Sequence, residues 1–346
     1  FSLSYFLRQV PTCPASPVGG RGRSALPQSG SFSWQERAYL AGNFRFGMDR
    51  RRGKGPYPPL LLDLKLTSTS TMNLVLDESF MRFDMKTGEI RFRDGAAYER
   101  YMGRWSQLAG ETFLDWLDPA PGQQWLDVGC GNGAFTEMLV GRCDPASVHG
   151  MDPSEEQLAY ARARPALRSA QFRQGDAMAM PYPDSAFDTA VMPLVIFFVA
   201  DPARGVAEMG RVVRPGGIVA AYAWDMAGGG FPYEMLLAEI RGLGITVPAP
   251  PSPDASRIDM MRDLWAGAAL DEIETREIVV HRTFTDFDDF WATALGAPSV
   301  GMILASMAVE DLALLKARVR GRLPAQRSGH ITCDARANAV KGHVPK

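Results

Sequence analysis

Hydrophobic and polar residues follow two regular patterns from about residue 94 onward. Short apolar runs that end at a glycine, an acid or a proline predict buried strands, and apolar residues three and four positions apart predict amphipathic helices. Strands are predicted at 125–128, 147–152, 170–174, 189–191, 218–224, 273–280 and 331–340, and helices at 94–117, 134–140, 154–161, 201–212, 233–243, 256–265, 286–294 and 310–323. Because the two patterns alternate over residues 122–224, the sequence predicts an α/β fold with a largely parallel sheet.

The first predicted strand leads directly into a glycine-rich turn, which carries the strongest chemical signal in the chain. Gly129, Gly131 and Gly133 follow Asp127 and come just before the helix at 134–140. Glycine allows positive φ angles and lets a ligand approach the backbone closely, while the N-terminus of the following helix presents free N–H groups. This arrangement predicts a corner that binds a nucleotide.

The glycine spacing alone leaves two ligands open. Gly129-x-Gly131-x-x-Ala134 also fits the fingerprint of dinucleotide-binding proteins. Asp127 lies at the carboxyl end of the strand, where its charge would repel a pyrophosphate and attract a ligand that carries an ammonium and a sulfonium. Charge at this position therefore favours S-adenosylmethionine over NAD.

Two further acids occur at the ends of the next predicted strands. Asp152 lies 25 residues after Asp127, and Asp176 lies 24 residues after Asp152. Each interval is the length of one strand–helix–strand step, so the three acids should reach the same edge of a parallel sheet. There, Asp152 can accept hydrogen bonds from both hydroxyls of a ribose.

The sequence Asp-Val-Gly-Cys-Gly-Asn-Gly at residues 127–133 resembles motif I of the class I S-adenosylmethionine-dependent methyltransferases. The resemblance spans roughly residues 94–346, is strongest from 124 to 224, and is nearest to the quinone-biosynthesis-type branch of small-molecule methyltransferases. It implies a Rossmann-like, doubly wound sheet of seven strands, mostly parallel with an antiparallel last strand, and helices on both faces. It also implies S-adenosyl-L-methionine as the cofactor.

The resemblance assigns roles at the adenosine end of the cofactor. The acid at Asp176 would accept the adenine amino group, and the backbone N–H of Ala177 would reach the ring. Pro153, beside Asp152, would make apolar contact with an adenine face. These roles follow from the matching positions in the family.

Other residues are implied at the methionine end of the cofactor. Met192, at the end of the fourth strand, would lie beside the sulfonium. The N-terminal helices would cover the cofactor, with Tyr101 and Arg104 facing its amino-acid end and Arg104 holding its carboxylate.

The chain divides into segments of different character. Residues 1–84 are predicted to be a disordered or non-native extension, because residues 1–60 are basic, rich in glycine, proline and serine, and without a sustained period. Their composition also fits an organelle transit peptide. The methyltransferase domain at 94–346 would comprise cap helices at 94–118, a cofactor-binding core at 122–224, a substrate lid with glycine hinges at 225–270, and C-terminal strands and helices at 271–346.

Methyl transfer by in-line displacement needs an aligned acceptor more than a dedicated catalytic residue. Where the acceptor must lose a proton, the candidate general base is His281, at the end of a predicted strand. Bulky residues near the predicted pocket indicate a flat or apolar small-molecule acceptor. They are Phe197, Tyr222, Trp224, Asp225, Phe231, Tyr233, Phe290 and Trp291.

Two other functions stay open on the sequence alone. An NAD-dependent oxidoreductase would have the glycine fingerprint, but it would need to tolerate Asp127 beside a pyrophosphate, and no Tyr-x-x-x-Lys pair is evident. A non-catalytic protein that binds the cofactor on the same fold is the third reading.

Composition limits the classes of partner that this chain is expected to bind. A net charge of −2 gives no general attraction to nucleic acid, and the longest apolar run, at 190–200, is shorter than the ~20 residues of a membrane span. The four cysteines are far apart, which indicates reduced thiols in a cytoplasmic protein, and no metal-ligand spacing is found. A small molecule is the expected partner, and the sequence leaves the oligomeric state undetermined.

Overall fold

The computed structural model describes residues 82–84, 89–91, 99–296, 298–323 and 329–346. Apart from 82–84, the predicted extension at 1–84 lies outside the described residues. The first described elements are two short strands, β1 (Arg82–Asp84) and β2 (Glu89–Arg91), which pair antiparallel with each other.

Seven strands form the central sheet. In chain order they are β3 (Gln124–Val128), β4 (Ser147–Asp152), β5 (Gln171–Gln174), β6 (Phe187–Pro193), β7 (Val213–Trp224), β8 (Asp271–Phe284) and β9 (Ile331–His343). Their spatial order is β5-β4-β3-β6-β7-β9-β8. The first five are parallel, and β9 is antiparallel to both of its neighbours. The predicted seven-stranded sheet with an antiparallel last strand is confirmed.

Helices connect these strands and cover both faces of the sheet. They are α1 (Arg104–Leu117), α2 (Ala134–Arg142), α3 (Glu155–Ala163), α4 (Pro202–Val212), α5 (Glu234–Gly242), α6 (Ile258–Gly267), α7 (Phe287–Leu295), α8 (Pro298–Ser306) and α9 (Val309–Arg322). Met192 and Pro193 are consecutive in β6, so their side chains point to opposite faces. Met192 lies against α4 at Gly205, whereas Pro193 lines a cavity bounded by α1 and α2.

Local capping sequences fix where two of the helices begin. Asp201 Oδ1 accepts a hydrogen bond from the Arg204 N–H at 3.1 Å, and Pro202 occupies the first turn of α4, as predicted. Ser154 caps α3 through a longer hydrogen bond from the Gln157 N–H, at 3.4 Å. Each cap satisfies an N–H group that the first helical turn would leave unpaired.

The structure differs from the predicted elements in two places. Of the helix predicted at 94–117, residues 94–98 lie outside the described residues, Glu99–Gly103 form a π-helical turn, and the α-helix runs from Arg104 to Leu117. A π-turn closes i→i+5 hydrogen bonds and so changes the face on which the preceding side chains lie. Helix α8 is missing from the prediction, since Pro298 and Gly301 interrupt the apolar run from which it forms.

The second helix of the predicted lid belongs to the layers of the sheet. Trp265 of α6 is fully buried, and its indole N–H donates to the Val219 carbonyl oxygen of β7 at 2.9 Å. Helix α6 also contacts β8 and β9. Within the segment predicted as a lid at 225–270, residues 258–267 therefore form a helix that packs on the sheet.

The glycines predicted as lid hinges are held against β9. Arg336 donates to Asp225 Oδ2 at 2.7 Å and to the Gly228 carbonyl oxygen at 2.9 Å, while the Gly228 N–H donates to Asp225 Oδ1 at 2.9 Å. A Cβ at Gly230 would lie 2.4 Å from the Arg336 carbonyl oxygen. Glycine is needed here for close packing, so this 225–230 clamp, as we call it, holds the loop after β7 in place.

Candidate cofactor site

The glycine-rich turn wraps the ends of β3 and β4. Its three glycines have positive φ angles, of 75°, 53° and 82° at Gly129, Gly131 and Gly133. The N–H groups of Gly129 and Cys130 both donate to the Met151 carbonyl oxygen, at 2.7 and 2.9 Å. A Cβ at Gly129 would lie 2.5 Å from Val195 Cγ2, so the turn needs glycine for close packing as well as for its backbone angle.

Asp127 lies in the interior of the site with one carboxyl oxygen unpaired. The residue is fully buried, and Oδ2 accepts a hydrogen bond from the Thr136 hydroxyl at 2.7 Å. Oδ1 is buried too and has no hydrogen-bond partner within the described ranges. An unpaired buried oxygen is costly, and a donor from a ligand would remove that cost.

The environment of Asp127 also changes its ionisation. Burial raises the pKa of the carboxyl from 3.8 to about 7, because desolvation disfavours the charged form. The hydrogen bond from Thr136 lowers the pKa, and the charge of Asp152 raises it. The carboxyl can therefore exchange a proton near neutral pH.

Asp152 ties the end of β4 to the glycine turn. Its Oδ2 accepts from the Gly131 N–H at 3.0 Å, and its Oδ1 accepts from the Ser154 N–H at 2.8 Å. Each carboxylate oxygen has two lone pairs, so both keep room for one further donor. A pair of ligand hydroxyls matches that remaining capacity.

Asp176 follows β5 at the same edge of the sheet. The residue is exposed, and its Oδ1 accepts a hydrogen bond from the Met178 N–H at 2.8 Å. Together with Ala177 and Pro153 it lines the same small cavity as Asp152. The structure thus brings together the four residues that were predicted to contact the adenosine of the cofactor, Asp152, Pro153, Asp176 and Ala177.

Two cavities meet at Gly129, which lines both. The smaller cavity, of about 90 Å³, is lined by Met151, Asp152, Pro153, Gly175, Asp176, Ala177, Met178, Val195, Phe198, Val199 and Ala200. The larger cavity, of about 470 Å³, contains Asp127 and Gly131 and extends past Ser106, Gln107, Asn132, Phe135, Met138, Pro193, Leu194 and Tyr222. One extended ligand can therefore place one end in each cavity.

The end of β6 forms a strained turn in the wall of the larger cavity. Leu194 is buried with φ at 58°, and its N–H donates to the Tyr222 carbonyl oxygen at 2.6 Å. A left-handed conformation costs a residue with a side chain ~1–2 kcal/mol. Strain of this kind is retained where the surroundings enforce it, often at functional sites. The positive φ angle of Leu194 was not predicted, because leucine gives no local signal for it.

Three residues predicted at the methionine end line neither cavity. Tyr101 stacks on Tyr233, with ring centroids 4.5 Å apart, and Met192 is buried against α4. Arg104 is exposed and donates to Gln107 Oε1 at 3.0 Å. Gln107 itself lines the larger cavity. Tyr101 lies within the π-helical turn before α1 and is buried in the core.

His281 is also placed outside the site. It lies on β8 at the edge of the sheet, with β9 between it and β7, and its side chain is 62% exposed. Its Nδ1 is 2.6 Å from Asp334 Oδ1. Neither cavity is lined by a histidine in the part of the chain that the structure describes.

The predicted aromatic pocket residues separate into two groups. Tyr222 lines the larger cavity, whereas Tyr233 and Phe290 are buried in a cluster with Tyr101. The Tyr233 hydroxyl donates to the Tyr101 carbonyl oxygen at 3.0 Å and accepts from the Trp105 indole N–H at 3.3 Å. Burial raises the pKa of Tyr233 to about 12, so this hydroxyl stays protonated and holds the segment before α1 in place.

The sheet order, the antiparallel last strand and the acid before a glycine turn agree with the fold implied by the resemblance to class I S-adenosylmethionine-dependent methyltransferases. Residues 126–221 match the protein family described as Methyltransferase domain. The matched residues run from β3 into β7 and include Asp127, Asp152 and Asp176.

Curated relatives match the chain over part of their length. The chain is 41% identical to 2-methyl-6-phytyl-1,4-hydroquinone methyltransferase 2 of Oryza sativa over 93 residues, and this alignment covers 27% of each protein. It is 33% identical over 128 residues to demethylmenaquinone methyltransferase of Desulfitobacterium hafniense, or 37% of this chain and 48% of the relative. The chain thus spans less than half the length of these relatives. Phosphoethanolamine N-methyltransferase 2 of Haemonchus contortus, solved with S-adenosyl-L-methionine, aligns at 18% identity and a TM-score of 0.46, over 72% of this chain and 56% of that one.

Three negative findings concern the described ranges alone. No helix there has the length and apolar character to cross a membrane. No three His, Cys, Asp or Glu side chains in those ranges are grouped so that they could hold a metal ion. Cys130, Cys143 and Cys333 are free thiols.

Proposed function

We propose that this chain transfers a methyl group from S-adenosylmethionine to a small-molecule acceptor. The observation that carries the proposal is Asp127, which lines the larger cavity beside the glycine turn and whose buried Oδ1 has no hydrogen-bond partner among the described residues. The ammonium at the methionine end of the cofactor would donate to this oxygen in a charge-assisted hydrogen bond. The pyrophosphate of NAD would instead bring negative charge to a buried acid, which disfavours the oxidoreductase alternative.

At the adenosine end, the smaller cavity offers a matching set of groups. The oxygens of Asp152 would accept hydrogen bonds from the two ribose hydroxyls, since each already holds one backbone N–H and has a lone pair left. Asp176 and Ala177 would contact the adenine edge, and Pro153 would pack on its face. Gly129 joins this cavity to the one that holds Asp127.

At the methionine end, Gln107 and Ser106 replace the predicted arginine as candidate donors to the cofactor carboxylate. Both line the larger cavity near the N-terminus of α1. Arg104 donates to Gln107 Oε1 at 3.0 Å, and the Gln107 amide nitrogen donates to Glu111 Oε1 at 2.9 Å, which leaves the second N–H of that amide for a ligand. Arg104 then acts as a positioning residue for Gln107.

The bound cofactor would supply an electrophilic methyl group on its sulfonium. The task of the chain is to align the acceptor with that group and to exclude water, and alignment alone can lower the barrier by ~7–11 kcal/mol. Pro193, Leu194 and Tyr222 form the wall best placed for this, with Phe135 and Met138 facing the same cavity. This lining supports a flat or apolar acceptor, and two of the relatives are named for a hydroquinone and for demethylmenaquinone.

Calorimetric titration tests the cofactor. We expect S-adenosylhomocysteine to bind and NAD not to bind. Asp127→Ala should lower the affinity for S-adenosylhomocysteine by at least ~tenfold, because the ammonium loses a charged partner. Asp144→Asn is the matched control, since Asp144 is exposed, lines neither cavity and has a positive φ of 43° that asparagine tolerates. Preference for NAD, or equal effects of the two substitutions, would refute the assignment.

Incubation with a metabolite extract and a labelled methyl donor tests the reaction. A labelled product would identify the acceptor. Full cofactor affinity without transfer to any compound in the extract would favour the non-catalytic alternative.

The proposed setting is the cytoplasm, with a small molecule as partner and no nucleic acid. A net charge of −2 gives no long-range attraction to a polyanion. The free thiols of Cys130, Cys143 and Cys333 suit a reducing compartment. Cell fractionation of a tagged chain would test the location directly.

A further inference from the structure

We propose that binding of the cofactor ammonium expels a proton from Asp127 to solvent, which makes cofactor affinity pH-dependent near neutrality. The proposal rests on the proposed function, because it concerns the same cavity. It adds a consequence of the buried acid: only the ionised form of this residue selects ligands that carry an ammonium.

The geometry leaves one oxygen of Asp127 for the ligand. Oδ2 is held by the Thr136 hydroxyl at 2.7 Å, and Oδ1 is buried without a partner among the described residues. Without a ligand, the ionised carboxylate of Asp127 would be a desolvated negative charge that accepts a single hydrogen bond, from the Thr136 hydroxyl. A proton on the carboxyl removes that charge and is therefore favoured until a cation arrives.

Among the described residues, the groups nearest Asp127 do not supply the missing cation. Asp152 approaches from β4 and Cys130 from the glycine turn, and electrostatic repulsion couples each of them to Asp127. Thr136 of α2 and Tyr222 of β7 are uncharged groups on the facing elements. The immediate surroundings therefore disfavour ionisation of Asp127.

Charged side chains on α2 and just after α3 lie farther along the same cavity, and each is paired with an opposite charge. Arg164 contacts Glu137 at 2.5 Å, and Arg142 contacts Asp115 at 2.7 Å. Each guanidinium thus has a carboxylate beside it, and a bound ammonium remains the cation that Oδ1 can meet directly. Burial places the pKa of Asp127 at about 7 without ligand, so the exchange falls in a range that titrations can follow.

The proton balance is simple. Below the midpoint, the ligand binds with its ammonium intact, one O–H bond of the Asp127 carboxyl breaks, and the proton passes to buffer. Above the midpoint, the acid is already ionised and no proton is released. With a midpoint near pH 7, the apparent affinity should rise about tenfold between pH 6 and pH 8 and then level off.

Calorimetry in two buffers of different ionisation enthalpy measures the number of protons released and the apparent affinity. The probes are S-adenosylhomocysteine and 5′-methylthioadenosine, which keeps the adenosine and the sulfur but lacks the amino-acid end. We expect S-adenosylhomocysteine to release close to one proton at pH 6 and to bind about tenfold more tightly at pH 8. The affinity of 5′-methylthioadenosine should stay constant over the same range.

Two variants assign the effect to this carboxyl. Asp127→Asn retains every histidine and every other acid, so S-adenosylhomocysteine should bind it more weakly and without pH dependence. Thr136→Val removes the hydrogen bond that favours the ionised form and should move the midpoint to higher pH. Thr136→Val also keeps the test decisive if Asp127→Asn does not fold.

The possible results separate the two proposals. A flat affinity for S-adenosylhomocysteine between pH 6 and pH 8 overturns the proton exchange and leaves the methyltransferase proposal standing. The same slope in Asp127→Asn, or an unmoved midpoint in Thr136→Val, overturns it as well. Failure of both probes to bind at any pH removes the proposed function itself.

Discussion

Gly129 and Gly122 show two different reasons for which a position needs glycine. Their φ angles are nearly equal, at 75° and 77°. A Cβ at Gly129 would lie 2.5 Å from Val195 Cγ2, whereas at Gly122 no atom of a described residue other than its chain neighbours lies within 4 Å of the same position. Substitution by alanine at the two sites therefore separates backbone strain from steric overlap.

We expect Gly122→Ala to lower the free energy of unfolding by ~1–2 kcal/mol, the cost of a positive φ with a Cβ. Gly129→Ala should lower the free energy of unfolding by a further ~1–3 kcal/mol through overpacking. It should also lower the affinity for S-adenosylhomocysteine, because the turn must shift where both cavities meet. Urea unfolding and calorimetry measure the two effects. Equal losses of stability with unchanged affinity would contradict the role given to the close contact.

Asp127 should also make the stability of the ligand-free protein depend on pH. Its pKa is about 7 when folded and near 3.8 when unfolded, so the folded state binds this proton more tightly. The contribution of the protonated carboxyl is fully present at low pH and is lost as the pH rises through 7, by up to a few kcal/mol. We expect Asp127→Asn, which is neutral throughout, to gain stability relative to the wild-type protein between pH 5 and pH 8. A relative loss over this interval in thermal unfolding would contradict the assignment.

At the scale of elements, the 225–230 clamp fixes the loop after β7 to β9. The side chain of Asp225 is only 10% exposed, and Arg336 neutralises it at 2.7 Å. Because the arginine also bonds the Gly228 carbonyl oxygen, a single side chain connects the strand to Asp225 and to the first glycine of the segment. The clamp should therefore contribute to stability and not to opening of the cavities.

We expect Arg336→Met to destabilise the fold by ~3–5 kcal/mol, since it leaves a buried carboxylate unpaired. Adding Asp225→Asn should restore part of the loss, because the unpaired charge is then gone. Chemical denaturation measures stability, and hydrogen exchange of residues 225–230 reports local opening. If Arg336→Met instead changed cofactor affinity strongly at unchanged stability, the loop would be a hinge.

Most elements of the fold were accessible from local sequence patterns, and the departures have identifiable causes. The strands and the caps at Ser154 and Asp201 depend on neighbouring residues, which periodicity detects. The position of Tyr101 depends on a π-helical turn and on Tyr233, 132 residues away, whose hydroxyl bonds its carbonyl oxygen. The acids and glycines of the site were predictable from their spacing, whereas Leu194 and Gln107 reach the cavity only through the fold.

At the scale of the whole molecule, the sheet depends on a strand that is late in the sequence but central in space. β9 lies between β7 and β8 and is hydrogen-bonded to both along most of its 13 residues. Buried residues of β9, including Ala337, Ala339 and Val340, also belong to the hydrophobic core. Loss of β9 would therefore separate β8 from the sheet and open the core.

We expect deletion of residues 331–346 to abolish cooperative unfolding, because two strand pairings and part of the core are lost together. Deletion of only residues 345 and 346, which are exposed and follow the last strand, is the control and should leave the unfolding transition in place. Circular dichroism with thermal denaturation distinguishes the two. A cooperative transition in the longer deletion would show that β3 to β7 fold without the far edge.

The position of β9 also sets an order of events during synthesis on the ribosome. The parallel strands and the glycine turn are made first and have their partners at hand, whereas β8 emerges before β9, its hydrogen-bonding neighbour in the described sheet, has been made. Until translation has passed through three more helices, its 14 residues present an open template to other nascent chains. The interval between β8 and β9 is therefore when this polypeptide should depend most on chaperones.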